Sequence, residues 1–299
     1  MTEPEMDAKF RLSEEKTLLS RVAQTGTAFF RGNWLNLFAA FLVVLVLFCA
    51  VFGPLIVPYD PIAMDLKQRL EPPSRDHLFG TDDFGRDIFS RVIAGARISM
   101  SVSIMVLSVA SVLGFLVGAT SGLFGGWLDE VLMRITDLFL AFPGLILAMA
   151  IAATLGPSLQ NTMIALSVVY WPWYARLVRS QVLSLRERDF VLAAQSIGAG
   201  TVRLLVRHLL PNVVPMMITQ ITVDVGYVIL STSGLSFLGL GAQPPTPEWG
   251  LMITTGRNFM RESPWLITFP GLALALTVLG FNLLGDGLRD FLDPKLRNR

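Results

Sequence analysis

From Leu138 to Ala175 the chain runs for 38 residues without a charged side chain. A helix crosses a bilayer with about 20 apolar residues, so this run is too long for one crossing and too apolar for the surface of a soluble protein. Gly156-Pro157-Ser158 divides it, because proline brings no backbone N–H to a helix and glycine favours turns. Two spans result, near 131–155 and 159–178. The same kind of segment recurs at Trp34–Val57, Ile98–Phe124, Val213–Leu240 (interrupted by Asp224) and Ser263–Gly285. The Ser, Gly and Ala residues of the 98–124 segment suit close helix packing. Composition agrees: 16% of residues are charged and mean hydropathy is +0.57, where soluble domains carry roughly 25% charge. The expected fold is an all-α membrane protein with six transmembrane helices.

Six spans put both termini on one side. With the termini in the cytoplasm, the inner segments hold 16 of the 24 Lys and Arg residues and the outer loops hold 8. Basic residues favour cytoplasmic loops, so both termini are expected inside. The chain then divides into a cytoplasmic tail (1–33), a first transmembrane helix (34–57), an extracytoplasmic loop (58–97), a core of five further helices (98–290) with a cytoplasmic loop at 179–212, and a cytoplasmic tail (291–299). Residues 1–33 are polar and lack the short apolar core of a signal peptide. A net charge of +1 gives no basis for nucleic-acid binding, and a single cysteine, Cys49, with two histidines, His77 and His208, predicts no disulfide and no metal site. None of the four lysines follows the G-x-x-x-x-G pattern of a nucleotide-binding loop, so any ATP and Mg would be bound elsewhere.

Between the fourth and fifth spans lies DFVLAAQSIGAGTVRLLVRHLLPN, Asp189 to Asn212. Ala193, Ala194, Ile197 and Gly198 share a small apolar helix stripe. Gly198 and Gly200 allow a sharp turn. A second helix would place Val202, Leu205 and Leu209 on one side and Arg203 and Arg207 towards water, and Pro211 would end it. Such a two-helix knuckle either plugs into a partner's groove or packs on its own membrane domain.

The spacing of Ala193, Ala194, Gly198, Leu210 and Pro211 resembles the coupling loop of ABC importer permeases, with Leu192 where that loop carries Glu. His77–Met100, Leu235–Gly250 and Asn282–Pro294 resemble the dipeptide/oligopeptide/nickel branch of those permeases, and the whole is similar to its C-type subunit. The resemblance implies the type I importer fold, a second and different permease subunit, two cytosolic ATPases that bind ATP and Mg, and an extracytoplasmic solute-binding protein. It implies a multi-pass protein of a bacterial-type inner membrane, and no catalysis by this chain. Ala193, Ala194, Gly198, Gly200 and Arg203 become the expected ATPase-coupling residues. A secondary carrier, an exporter half or a membrane scaffold are the rival classes.

Three further features stay open at this level. Asp82, Arg86 and Asp87 form a charged loop, either a landing surface for the binding protein or a loop stitched to itself by Arg–Asp pairs. Trp249, after three prolines (Pro244, Pro245, Pro247), reads as an interfacial anchor or part of a gate. Asp224 lies eleven residues past Val213, about 16 Å along a helix and near mid-membrane, where an acid is a functional candidate by default. Thr232, eight residues on, is expected on the same face, so that both line a substrate path. The alternative for Asp224 is a hydrogen bond to a hydroxyl of the partner chain. Arg134 with Asp137, and Asp286 with Arg289, are expected to pair along their helices.

Overall fold

The computed structural model describes residues 34–292; the N-terminal tail and residues 293–299 lie outside the described residues. Nine helices are described: α1 (Trp34–Ile56), α2 (Ile88–Phe124), α3 (Gly126–Leu140), α4 (Gly144–Leu155), α5 (Leu159–Arg186), α6 (Asp189–Ser196), α7 (Thr201–Phe237), α8 (Trp249–Gly256) and α9 (Trp265–Leu292). Among the described residues the only strand-like pairing is a single bridge between Thr81 and Asp87.

Four helices, α1, α2, α7 and α9, are long and apolar enough to cross a membrane. The expected span 131–155 is instead two helices, α3 and α4, bent by 85°. Pro143 caps α4 and disfavours helix at the residue before it. Counted as one crossing, the pair makes five. α5 has 28 residues, but only 17 of them, 159–175, precede its first arginine, short of the usual span.

Helix boundaries moved where capping overrode hydropathy. α2 begins at Ile88 rather than 98, because Asp87 caps it by accepting a hydrogen bond from Ser90 N at 2.8 Å. The helix thereby takes in Arg91, whose guanidinium donates to the carbonyls of Pro61 (2.8 Å) and Pro245 (3.3 Å). The break at 156–158 appears as expected: Gly156 has φ +93° and Ser158 caps α5 through Asn161 N.

Pro211 does not end the helix after the knuckle. α7 runs on through it to Phe237 by way of a π-helical turn at Leu205–Leu209. In that wider turn Leu210 N reaches back five residues to Leu205 O, and the missing N–H of Pro211 falls where the register has already changed.

The most extensive packing between helices lies between α2 and α5. Gly114, Gly118 and Gly122, four residues apart, face Tyr174, Ala175, Val178 and Val182. A methyl group on Gly122 would stand 2.8 Å from Val182 Cγ1, and one on Gly118 would strike the Ala175 carbonyl. Two apolar clusters flank this seam. One joins α2, α4, α5 and α7 through residues such as Val106, Ala148, Val178 and Val213; the other joins α1, α2, α8 and α9 through Val43, Met100, Met252 and Leu266. α1 leaves Phe41, Val44, Val51 and Leu55 exposed, a face suited to lipid.

Candidate functional site

The knuckle is built on a helix stop. After α6, Gly198 takes φ +81°; its N–H donates to Gln195 O (2.9 Å), and Ala199 N donates to Ala194 O (3.0 Å). This pair of bonds is the glycine-terminated Schellman stop, which satisfies two of the last helix carbonyls. Gly200 has no such need, with φ −69°. Val191, Ala194, Leu204 and Leu209 are buried against the body. Ala193, Gly198, Gly200 and Arg203 face outward, and the tip also exposes Ile197 (88%) and Val202 (75%). The expected stripe is therefore split: Ala194 anchors the knuckle while Ala193, Ile197 and Gly198 form its outer surface. Val202 lies outside and Leu204 takes the inner place given to it, because α7 starts at Thr201 and sets a different helical phase.

Ion pairs fix the ground beneath the knuckle. Arg179 of α5 grips Asp129 of α3 with two bonds of 2.6 Å, and Arg186 donates to Gly122 O at 3.1 Å. Asp137 pairs with Arg176 across α3 and α5 at 2.5 Å rather than with Arg134. Asp286 and Arg289 are both exposed and form no pair with each other.

Asp224 is the fifteenth of the 28 residues from Leu210 to Phe237, midway along that stretch, and is only 7% exposed. Its carboxylate accepts from Tyr174 Oη (2.7 Å) and Gln220 Nε2 (3.0 Å). The hydroxyl partner expected from another chain is thus supplied by this one. The carboxylate lines a cavity of about 440 Å³ between α4, α5 and α7, with Tyr170, Trp173, Gln220, Tyr227 and Ser231. Thr232 is buried and is not part of that wall. At 3.6 residues per turn, eight residues rotate a side chain about 80° away from Asp224, whereas seven leave it about 20° off, so Ser231 occupies the place expected of Thr232.

Sequence reading missed the aromatic wall. Three of the four tyrosines, Tyr170, Tyr174 and Tyr227, gather around Asp224. The signal was present as Gln220 and Tyr227 at i−4 and i+3 of Asp224, and as Tyr170 and Tyr174 one turn apart.

The loop before α2 uses its charges internally. Asp82 accepts from Phe84 N (2.9 Å), Arg86 N (3.0 Å) and Arg86 Nε (2.7 Å). Asp87 holds Ser90 and His77 Nδ1, the latter at 2.9 Å. Asp82, Arg86 and Asp87 are all buried, whereas Met64, Leu66, Leu78 and Phe84 are exposed. The three charged residues therefore hold the loop's shape, and other side chains make its surface. Asp83, half-covered beside them, has its carboxyl raised above the usual range, first by burial and then by the charge of Asp82. Trp249 is not an interfacial anchor: it is 2% exposed and donates to Val92 O at 3.0 Å. Buried Glu248 caps α8 through Gly250 N and Leu251 N and accepts from Ser233 Oγ.

Comparison with known proteins identifies the family to which this chain belongs. Residues 110–298 match the family described as binding-protein-dependent transport system inner membrane component. Residues 27–73 match the N-terminal transmembrane domain of oligopeptide transport permease C. A dipeptide transport system permease protein of Alkalihalophilus pseudofirmus is 45% identical over 268 residues, covering 90% of this chain and 88% of that one. A probable D,D-dipeptide transport system permease protein of Escherichia coli is 46% identical, covering 89% of each chain. The nickel transport system permease protein of Escherichia coli is 44% identical, covering 90% of this chain and 97% of that one. Such similarity over nearly the whole length leaves one conclusion: the chain belongs to the binding-protein-dependent ABC importer permeases of the peptide/nickel family, as a multi-pass, non-enzymatic membrane subunit whose transport is powered by separate ATPases.

Proposed function

We propose that this chain forms half of a translocation path for peptides or a related small solute. It pairs with a second, different permease, two cytosolic ATPases that bind ATP and Mg, and an extracytoplasmic binding protein. In this reading α5 completes a set of six spans, its arginine-bearing end emerging into the cytoplasm beside Arg134 and both tails. The domain limits are then those given by charge: 34–57 and 98–290 in or at the membrane, 58–97 outside, and the coupling loop 179–212 inside.

The observation that carries the reading is the knuckle. Its apolar tip, Ala193, Ile197, Gly198 and Val202, is exposed on a rigid helix stop with Arg203 beside it, a shape suited to a groove on an ATPase. Closure of the two ATPases around ATP would draw the knuckles together and turn the spans outward. A swing from 1:99 to 99:1 takes about 5.5 kcal/mol of differential binding. The loop held by Asp82, Arg86 and Asp87 then meets the binding protein with its exposed apolar residues, while Asp224 and Ser231 line the path. The similarity to dipeptide and nickel permeases supports a small polar cargo.

The test is to tag the C-terminus, extract the protein gently from native membranes and identify what co-purifies. One or two ATPases and a second permease are expected. A chain that emerges alone, where known complexes survive the same extraction, would return the carrier or scaffold classes to first place.

A further inference from the structure

The cavity beside Asp224 has a composition that selects a ligand. Its wall carries one carboxylate and three aromatic rings, Tyr170, Trp173 and Tyr227, and no lysine, arginine or histidine. Among the described residues Asp224 has no cationic partner: its hydrogen-bond donors, Tyr174 Oη and Gln220 Nε2, are both neutral. Each carboxylate oxygen retains further acceptor capacity. Ser231 Oγ adds a polar atom on the same wall, 3.4 Å from Tyr170 Oη. A carboxylate beside three aromatic rings is suited to a cation, and to one that also donates hydrogen bonds. A transition metal would call for nitrogen or sulfur ligands or several carboxylates, none of which line this wall. The cavity, about 440 Å³, lies in the size range of small-ligand sites. It opens away from this chain: Trp173 is 64% and Tyr227 52% exposed.

We propose that this cavity binds the primary ammonium group of the cargo, with Asp224 as its counter-ion and Tyr170, Trp173 and Tyr227 as a partial aromatic cage. The inference rests on the importer reading and narrows its cargo to molecules with a free amine, such as peptides with an unblocked amino terminus. Tyr174 and Gln220 position the carboxylate and do not touch the cargo.

The test uses the assembled importer in nanodiscs, without its binding protein, and radiolabelled trialanine against N-acetyltrialanine. A charge-assisted contact predicts that the free amine binds about 10- to 100-fold more tightly than the blocked one. Asp224→Asn preserves the size of the side chain and should bring that ratio close to one. Tyr227→Leu should weaken trialanine about fivefold. Tyr174→Phe removes a positioning contact while leaving the charge, and should keep the preference for the free amine. Equal binding of the two probes, or none by either, overturns the proposal, as does a preference that survives Asp224→Asn. An assembled complex without the preference defeats this inference alone; failure of the ATPases to assemble defeats the importer reading beneath it.

Discussion

Gly198 separates two reasons for a glycine, and a substitution series can pull them apart. Its φ of +81° lies in the left-handed region, and a Cβ built on it meets no atom within 4 Å. Alanine there therefore suffers no clash; its whole penalty is torsional, roughly 1–2 kcal/mol. Asparagine tolerates this conformation better. Leucine pays about the same torsional penalty as alanine but projects a branched side chain from the exposed tip. Gly200, with φ −69° and equally open surroundings, is the control: alanine there should be neutral or slightly stabilising. The assay is the quantity of ATPase subunits retained on tagged complex, measured by mass spectrometry, beside the melting temperature of the membrane subunit. Gly200→Ala and Gly198→Asn should retain the ATPases. Gly198→Ala should lose part of them, and Gly198→Leu should fall at least about tenfold, equivalent to 1.4 kcal/mol of docking free energy, with little further loss of melting temperature. Equal retention by Gly198→Ala and Gly198→Leu would show that bulk at the tip is irrelevant, and the docking argument would fail.

Other sites yield sharper stability effects. Gly118→Leu drives a side chain into the Ala175 carbonyl and should destabilise by more than about 3 kcal/mol, seen as loss of a monodisperse peak on gel filtration; a normal peak would contradict the α2–α5 seam. Trp249→Phe forfeits the bond to Val92 O and should cost about 1 kcal/mol, against about 3–5 kcal/mol for Trp249→Ala; equal melting points for the two would restore the interfacial-anchor reading. Because burial raises the Asp83 carboxyl, the folded loop binds that proton more tightly than the unfolded chain, and ionisation weakens the fold as pH rises through the folded pKa. Asp83→Asn should therefore raise the melting temperature near neutral pH, with the gain shrinking towards about pH 4. Asp82→Asn, which disturbs three hydrogen bonds, should lower it; a lower melting point for Asp83→Asn at neutral pH would show that the 3.9 Å contact of Asp83 with Arg86 outweighs burial.

Hydropathy located most of the membrane helices because a lipid-facing helix such as α1 must be apolar along its whole length. It failed at ends, where one side chain decides. Asp87 starts α2 ten residues before the apolar run does, and Pro211 was read as a stop although the π-helical turn carries the chain past it. The knuckle's turn at Gly198 was legible because few residues other than glycine tolerate a positive φ. Which of its faces would be buried was not, since that depends on how α6 and α7 are phased against the body. Around Asp224 the acid stood out for its depth. Its neighbours did not, because Tyr170, Trp173 and Tyr174 sit within an apolar run where aromatic residues are ordinary, and only the packing of α5 on α7 brings them to the carboxylate. The charges of the 77–87 loop fitted a landing surface and a loop stitched to itself equally well, and Asp82, Arg86 and Asp87 turn out to be bonded within the loop.

The π-helical turn has a mechanical consequence. Because α7 continues unbroken from Thr201 to Phe237, the knuckle at its start and the cavity's acidic wall midway along it belong to one rod, with the π-helical joint at Leu205–Leu209 between them. Asp224 stands fifteen residues beyond Leu209, about 22 Å along the axis. A tilt of about 10° at the joint would carry the carboxylate sideways by about 4 Å, enough to part it from Tyr174 on α5. On the proposed function, a pull on the knuckle would be geared up into a change of grip at the cavity, and the stiffness of that one joint would set how much of the pull arrives.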